Sequence, residues 1–292
     1  MPLIRDDSRV LTLSENIDAQ SRAARHKVAG STRPLNYFVA AMLAGAFIGL
    51  ADIFMLTAGG PLRLAGSPWY PLVEGGVFGI GLILVVFAGG ELATSAMMIL
   101  PIGMKERAVS WGPAARAFAL MVVGNLAGAV LLALLVKGGG IMADGTVPGD
   151  ALAAVIAAKA HKTTVELFFR AILCNILVCL AMWSVTRTDN DVAKMILMAW
   201  CMAAFVASGM EHVVANMTTF SLGIVHGVDG ATLTEAGRNL GTVLLGNVVG
   251  GAVFVGLGAW TAARAEGPVT PTPVIPDEGA QVIPAGGNPS GL

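Results

Sequence analysis

Long runs of apolar residues, separated by short polar segments, fill most of the chain. Four runs have the length of an ordinary membrane-spanning helix, which needs about 20 apolar residues; they cover residues 36–57, 115–136, 163–186 and 239–262. Two further runs, 75–103 and 192–225, are too long for one ordinary span, and glycine and polar residues interrupt each near its middle. The pattern predicts an all-α membrane protein with six transmembrane elements, of which the second and the fifth are broken.

The two interruptions have similar sequences. They read AGGELATS, with Glu91, and ASGMEHVV, with Glu211 and His212. Backbone groups left unpaired by a break cost several kcal/mol each in lipid, so both breaks must face protein or water. A break also creates helix N-termini near the middle of the membrane, where free N–H groups and the helix dipole favour an anion. The breaks therefore predict a polar site for a negatively charged solute.

The composition supports a lipid environment. Of the 292 residues, 55% are hydrophobic and 13% are charged, and the mean hydropathy of +0.74 is too high for a soluble domain of this size. The net charge of −1 gives no sign of a nucleic-acid partner. Three cysteines lie within apolar runs, which indicates packing thiols rather than disulfides or a zinc site. We predict no metal and no cofactor.

Lysine and arginine are distributed unevenly along the chain. Twelve of the 18 lie before the first run, after the second, fourth and sixth runs, or just inside the third. The positive-inside rule then places both termini in the cytoplasm. The N-terminal part lacks the apolar centre of a signal peptide. We predict a cytoplasmic N-terminal segment (1–34), a six-span channel domain (35–264) and a disordered, proline- and glycine-rich cytoplasmic tail (265–292).

An internal repeat relates the two halves of the chain. VVGNLAGAVLLALL in the third run is echoed by LLGNVVGGAVFVGL in the sixth, and the broken elements also correspond. Because each half has three spans, the second copy must be inverted relative to the first. The expected fold is an inverted 3+3 repeat, which is typical of channels and secondary transporters.

His212 is the first candidate for a pathway residue, because ionisable groups inside a membrane are costly and tend to mark pathways. A neutral imidazole can donate one hydrogen bond, whereas a protonated one attracts an anion and can pass it a proton. The alternative is a structural hydrogen bond to the broken backbone. Thr94, after the first break, has the same two interpretations: its hydroxyl bonds the loop backbone or a passing solute.

The carboxylates and one amide near the breaks need partners. Glu211 precedes His212, so on a helix it would point about 100° away. We expect it to bond backbone N–H groups at the break or to pair at a subunit contact, and Glu91 to play the matching part in the first half. Asn175, in the fourth run, needs hydrogen-bond partners if it is buried.

Other residues near the breaks also have two interpretations. Lys159 and Lys162, at the outer start of the fourth run, either snorkel to the interface or form a positive vestibule that concentrates anions. Bulky side chains flank the breaks and either fill the core or form a gate that excludes water; they are Phe78, Leu82, Leu92 and Phe205. Arg170 lies about two turns into the fourth run and has no assigned role.

Five stretches of the chain resemble the formate/nitrite transporter family. They are LILVVFAGGELATSAMM, VVGNLAGAVL, ILCNILVCLAMW, FVASGMEHVVANM and LLGNVVGGAVFVGL, which fall in every run except the first. The resemblance implies a homopentamer of six-span protomers in a bacterial inner membrane, each protomer with an aquaporin-like inverted repeat and its own pore. Several of the stretches, and the short connection at about 225–238, look more like the nitrite-channel branch than the formate branch.

The resemblance also implies roles for individual residues. It makes His212 the central pore histidine, Thr94 the loop threonine and Asn175 the nearby asparagine. It assigns the constrictions to Phe78, Phe205, Leu82 and Leu92, the vestibule lysine to Lys159 or Lys162, and the family's glutamates to Glu91, Glu166 and Glu211. The chain departs from the formate channels at Ala93, where they often have phenylalanine before the loop threonine.

The sequence thus predicts a channel, not an enzyme, for small monovalent anions. Nitrite is the first candidate and formate also fits, with pH-dependent gating or protonation at His212. One alternative is a neutral-solute facilitator of the aquaporin or ammonia type, although the paired Asn-Pro-Ala motifs of aquaporins are missing and the one Asn-Pro lies at Asn288. Another is an intramembrane hydrolase with Ser208 and His212 as a dyad, which the intervening Gly209 disfavours.

Overall fold

The computed structural model describes residues 10–265, and within this range every regular element is a helix. The α-helices are α1 (Leu13–Gly30), α2 (Pro34–Leu64), α3 (Tyr70–Phe78), α4 (Ile80–Phe87), α5 (Ala93–Lys105), α6 (Trp111–Gly138), α7 (Val147–Ala160), α8 (Thr164–Val185), α9 (Asp191–Ala207), α10 (Val213–His226), α11 (Leu233–Val248) and α12 (Gly258–Ala265). A π-helix, Val249–Leu257, joins α11 to α12. The predicted tail lies outside the described residues, apart from Ala265.

Within residues 10–265, five helical stretches are long and apolar enough to cross a membrane. They are Pro34–Leu64, Tyr70–Phe87, Trp111–Gly138, Thr164–Val185 and Leu233–Ala265. The fifth predicted element is not among them, because it is divided into α9, with 17 residues, and α10, with 14. The all-helical, apolar architecture expected from the sequence is confirmed.

The first predicted run, 36–57, ends too early. In the structure α2 continues to Leu64, so the helix includes the charged residue Arg63 beyond the apolar run. Arg63 is held there by two hydrogen bonds to Glu74 on α3, of 2.7 and 2.6 Å. This two-pronged ion pair compensates the charge near the helix end.

Two helices were not predicted from the sequence. α1 begins with a capping box in which Thr12 and Glu15 bond each other's backbone N–H groups. It packs along α5, and the Asn16 side chain donates to the carbonyl of Trp183 at the end of α8. α7 follows α6 in the chain, packs against α2 and α10, and carries Lys159 near its C-terminus.

The echoed motifs of the third and sixth runs pack in the same way against different helices. A Cβ atom added to Gly128 of α6 would lie 1.9 Å from the Met42 carbonyl oxygen on α2. One added to Gly250 would lie 2.3 Å from the Ile172 carbonyl oxygen on α8. Because real Cβ atoms cannot approach so closely, glycine at these positions permits the close contacts that bring each helix to its partner.

When the two motifs are aligned on their Gly-Asn pairs, the second has one glycine more than the first before the Ala-Val pair that follows. Gly128 is followed by Ala129, but Gly250 is followed by a second glycine, Gly251, before the apolar run resumes. The π-helix lies at this position. Gly251 packs against Asn175, and a Cβ atom there would lie 2.7 Å from the amide nitrogen of that side chain.

Candidate functional site

The helices stop at both predicted interruptions. Between α4 and α5 the chain runs through residues 88–92, and between α9 and α10 through 208–212, without helical structure. Each segment turns at a glycine with positive φ, Gly89 (84°) and Gly209 (64°), a conformation that glycine adopts without steric cost. Each ends at the N-terminus of a buried helix.

A buried asparagine from α6 fixes the first interruption. Asn125 donates from its amide to the carbonyls of Ala41 (2.8 Å) and Glu91 (2.9 Å). Its amide oxygen accepts from the N–H of Ala93, the first residue of α5 (3.0 Å). One side chain thus pairs with backbone groups on both sides of Leu92, the Glu91 carbonyl and the Ala93 N–H, and avoids the energetic cost of leaving them unpaired.

Asn247 does the same for the second interruption. Its amide donates to the carbonyls of Ala171 (2.7 Å) and Glu211 (3.0 Å), and its oxygen accepts from the N–H of Val213 (2.9 Å). Both asparagines follow the first glycine of the echoed motif. The sequence therefore contained the signal for these clamps, but only as a repeat, because nothing local identifies the segment that each asparagine contacts.

The two helix starts meet at a hydrogen bond between Thr94 and His212. Thr94 Oγ1 lies 3.0 Å from His212 Nε2, and both residues are buried. His212 is the N-cap of α10, and its Nδ1 accepts from the N–H of Ala215 (3.1 Å). Because Nδ1 is an acceptor, the neutral ring carries its proton on Nε2, from which it donates to Thr94. The predicted pair therefore lies together, and the histidine also caps a helix.

A cavity of about 260 Å³ lies on one side of this contact and His212 lines it; we call it the outer cavity, after the orientation expected from the sequence. Its apolar wall contains Phe78 and Phe205, whose rings meet edge to face with centroids 5.5 Å apart. Phe205 also stacks on the His212 ring at 5.7 Å. One predicted constriction residue, Phe205, thus lies directly beside the central histidine, and a second, Phe78, packs against Phe205.

The outer cavity is rich in charge. Glu211, which is 1% exposed, accepts from Lys159 at 2.8 Å and pairs with Lys162 at 3.2 Å. Its carboxylate also accepts from Asn216 at 2.8 Å. Its partners are therefore side chains rather than the backbone N–H groups expected from the sequence, since α7 brings Lys159 to it. Both candidate lysines line the cavity; burial lowers the pKa of Lys162, and the nearby Glu211 opposes this shift.

Three features of this cavity were missed or unassigned from the sequence. Asp52, in the middle of α2, is buried and accepts from the Thr219 hydroxyl at 2.8 Å. The Arg63–Glu74 pair also lines the cavity. Arg170 donates to the carbonyl of Gly209 at 2.7 Å, so it braces the second interruption. An acidic residue in a predicted span was a usable signal for Asp52.

A second cavity of about 550 Å³ lies beside the first interruption; we call it the inner cavity. Ser95 and Glu91 line it, and Glu91 pairs with Lys27 of α1 at 2.5 Å and lies 3.4 Å from the Tyr37 hydroxyl. Leu82, Leu92 and Thr94 are buried and line neither cavity. His212 lines the outer cavity, and Ser95, the neighbour of Thr94 in the chain, lines the inner one, so the Thr94–His212 contact joins residues on the two sides.

Three residues considered in the sequence analysis line neither the outer nor the inner cavity. Asn175 is fully buried and donates to the carbonyls of Thr94 (3.2 Å) and Asn247 (2.7 Å), so it holds backbone in place. Glu166 is exposed and closes a capping box with Thr163 at the start of α8. Ser208 is exposed at the end of α9, while both ring nitrogens of the buried His212 are engaged elsewhere, which leaves the hydrolase dyad without support.

Two buried helix N-termini that meet at a polar contact between two cavities form the layout of a membrane channel or transporter. The residues described in the structure contain no group of three potential metal ligands. The chain belongs to the formate/nitrite transporter family, whose model, Formate/nitrite transporter, matches residues 14–261. It is therefore a multi-pass membrane protein, and the resemblance inferred from the sequence is confirmed.

Known relatives support this assignment. The nitrite transporter NirC of Salmonella typhimurium is 42% identical over 245 residues, which cover 83% of this chain and 88% of that protein. A solved FNT family ion channel superposes with a TM-score of 0.80 at 40% identity and covers 85% of this chain and 98% of its own. A solved pentameric formate channel with formate bound gives a TM-score of 0.69 at 30% identity, with coverages of 80% and 99%. These relatives are transporters and channels rather than enzymes.

Proposed function

We propose that this protein passes small monovalent anions, nitrite above all and formate also, through a pore in each protomer of a homopentamer. Its similarity to a nitrite transporter at 42% identity supports nitrite, and its similarity to a pentameric formate channel supports both formate and the pentamer. Its proposed location is the inner membrane of a bacterium, with both termini in the cytoplasm, because lysine and arginine are concentrated there.

The proposed topology is six membrane-crossing elements in an inverted repeat, with the second formed by α3, α4 and α5 and the fifth by α9 and α10. The matching contacts of the two halves support it. Asn125 and Asn247 clamp the two interruptions through equivalent backbone groups. Gly128 and Gly250 make equivalent close contacts.

The observation that carries the proposal is the Thr94–His212 contact at the meeting point of two helix N-termini. An anion enters through the positive outer cavity past Lys159 and Lys162 and passes Phe78 and Phe205. At the centre it accepts hydrogen bonds from His212 Nε2 and from the Thr94 hydroxyl, in place of their bond to each other. The two helix dipoles add to this stabilisation and offset part of the several kcal/mol that desolvation of the anion costs.

The proposal includes pH-dependent gating at His212. A second proton on the ring must bind at Nδ1, which then no longer accepts from the N–H of Ala215. Protonation therefore removes the cap of α10 at the same time as it places a positive charge on the pathway. The maximal rate of transport is the quantity that this step affects.

Nitrite uptake into proteoliposomes tests the proposal. We expect His212→Ala and Thr94→Val each to lower the uptake rate by about tenfold or more, the value of one hydrogen bond to a charged group. His161→Ala, an exposed histidine outside the outer cavity, is the matched control and should behave as wild type. Unchanged uptake and pH dependence in His212→Ala would refute the role of the histidine. Uptake of glycerol but not nitrite by the wild type would instead favour a neutral-solute facilitator.

A further inference from the structure

Asp52 is an ionisable residue of the outer cavity to which the proposed pathway gives no role. It is 2% exposed and lies in the middle of α2, where its side chain faces Thr219 in the middle of α10. The two other carboxylates of the cavity, Glu74 and Glu211, have cationic partners. Among the residues that the structure describes, Asp52 forms no ion pair, and its Oδ2 contacts the Thr219 hydroxyl at 2.8 Å.

The Thr219 hydroxyl can serve either protonation state of Asp52. Its oxygen lies 2.8 Å from Asp52 Oδ2 and 3.2 Å from the carbonyl of Ala215. When Asp52 is ionised, the hydroxyl donates to the carboxylate. When Asp52 is protonated, the acid can donate to the hydroxyl oxygen, and the hydroxyl proton turns to the Ala215 carbonyl, as threonine in a helix commonly does. Both patterns fit the same atomic positions, so the site holds a proton without rearrangement.

The proton changes the net charge of the cavity. Four cations, Arg63, Lys159, Lys162 and Arg170, line it together with three carboxylates, so ionised Asp52 leaves one net positive charge and protonated Asp52 leaves two. The groups that face Asp52 across the cavity come from α2, α3, α7, the start of α10 and the loop and helix beyond α7; they are Arg63, Tyr70, Glu74, Lys159, Glu211, His212, Lys162 and Arg170. In the described cavity lining, α1, α4 and α6 contribute no ionisable group.

We propose that Asp52 takes up a proton together with the anion, so that the outer cavity binds the two as a pair. The inference rests on the proposed function. No bond of the anion is made or broken: a proton from the outer water joins the carboxylate, and an anion joins the cavity. Because binding free energies are reciprocal, each ligand must strengthen the binding of the other by the same factor.

This role differs from the proposed protonation of His212. A proton on the histidine removes the Ala215 cap of α10, whereas a proton on Asp52 leaves every hydrogen bond of the site satisfied. Asp52 also lines the outer cavity, and its hydrogen bond goes to Thr219 rather than to Thr94 or His212. It therefore acts on the concentration of anion that half-saturates uptake, while His212 acts on the maximal rate.

The test is the KM for nitrite, measured from initial uptake by proteoliposomes at external pH values from about 5 to 8, with the leak of protein-free vesicles subtracted. For one linked proton, KM in the wild type should fall as the pH falls, by up to about tenfold per pH unit. Asp52→Asn, which resembles the protonated form, should have a low KM at every pH. Asp144→Asn, an exposed loop acid, is the matched control and should keep the wild-type profile.

A second variant protects the test against misfolding of the first. The Thr219 hydroxyl bonds both forms of Asp52, but its bond to the charged carboxylate is the stronger one. Thr219→Val therefore disfavours the ionised form, and the change in KM should move to higher pH. A wild-type KM that does not vary with pH, a wild-type profile in Asp52→Asn, or an unmoved profile in Thr219→Val would each overturn the inference. Absence of nitrite uptake by the wild type would refute the proposed function itself, whereas uptake with an unaltered profile in the variants refutes only the role of Asp52.

Discussion

The two interruptions share one backbone arrangement and differ in almost every side chain that completes it. Both turn at a glycine with positive φ, and both are clamped by an asparagine from an echoed Gly-Asn motif. The first, however, leads into α5 through Leu92, which provides no side-chain cap. The second leads into α10 through His212, which caps the helix with its own ring. The fold is thus maintained by the repeated residues, and the chemistry comes from those that differ.

The charges of the two regions differ in the same way. Glu91 has one lysine partner, Lys27 of α1, and the two side chains are 15% and 12% exposed. Glu211 is 1% exposed and lies between two lysines within the outer cavity. The comparison indicates that the first carboxylate fastens α1, whereas the second joins two lysines in the cavity that we propose as the entrance.

Removal of either asparagine clamp should produce the largest loss of stability. Asn125→Ala and Asn247→Ala each leave three buried backbone groups without a partner, at about 1–3 kcal/mol per group, so we expect each to lower the free energy of unfolding by at least about 3 kcal/mol. Denaturant unfolding in detergent measures this, with the exposed Asn36→Ala as control. If either clamp proves dispensable, the equivalence of the two interruptions is wrong.

Substitution of Glu211 should destabilise the protein more than substitution of Glu91. Glu211→Gln breaks a buried ion pair and should lower the free energy of unfolding by about 3 kcal/mol. Glu91→Gln breaks a partly exposed pair and should cost about 1 kcal/mol or less. The same unfolding experiment compares the two variants. Equal losses of stability would contradict the proposed difference between the partly exposed Glu91–Lys27 pair and the buried pairs of Glu211.

The two glycines should differ by a smaller amount. Gly89→Ala puts a side chain at positive φ, where its Cβ meets no atom within 4 Å, so only the backbone cost of about 1–2 kcal/mol applies. Gly209→Ala adds a contact 3.1 Å from the Arg170 guanidinium and should cost more. In the Arg170→Ala background, Gly209→Ala and Gly89→Ala should lower the free energy of unfolding by the same amount. A larger loss for Gly209→Ala in this background would contradict the assignment of the difference to Arg170.

The cap should give the smallest change in stability. His212→Asn keeps an oxygen that can accept from the N–H of Ala215, so the cap itself should change the free energy of unfolding by no more than about 0.5 kcal/mol. Any larger loss would come from the missing bond to Thr94 and the missing contact with Phe205. Nitrite uptake should still fall, because the shorter amide cannot replace the Nε2 donor beside Thr94. Wild-type uptake in this variant would mean that the histidine serves the helix alone.

The sequence revealed the positions of both interruptions, because glycine and charged residues inside an apolar run are a local signal. It also singled out His212 and Thr94 as candidates, and the family resemblance gave both a role in one pore, but their direct hydrogen bond was not predicted. It did not give the partners of Glu211 or the roles of Asn125 and Asn247, since these depend on which distant helices meet. Asp52 was missed although one acidic residue in an apolar run is unusual, because the run otherwise has the pattern of an ordinary span.

The π-helix that contains Gly250 and Gly251 has a consequence for the path of the last helix. A π-helix has more residues per turn than an α-helix, so its wider turns can hold one extra residue while the residues on either side keep their helix faces. The apolar run after Gly251 therefore still packs against α5 and α8. The helix then continues directly into α12, where Trp260 donates a 2.6 Å hydrogen bond to Glu106, just after α5. The wider turns thus give room for a second glycine beside Asn175 without a loop in the helix.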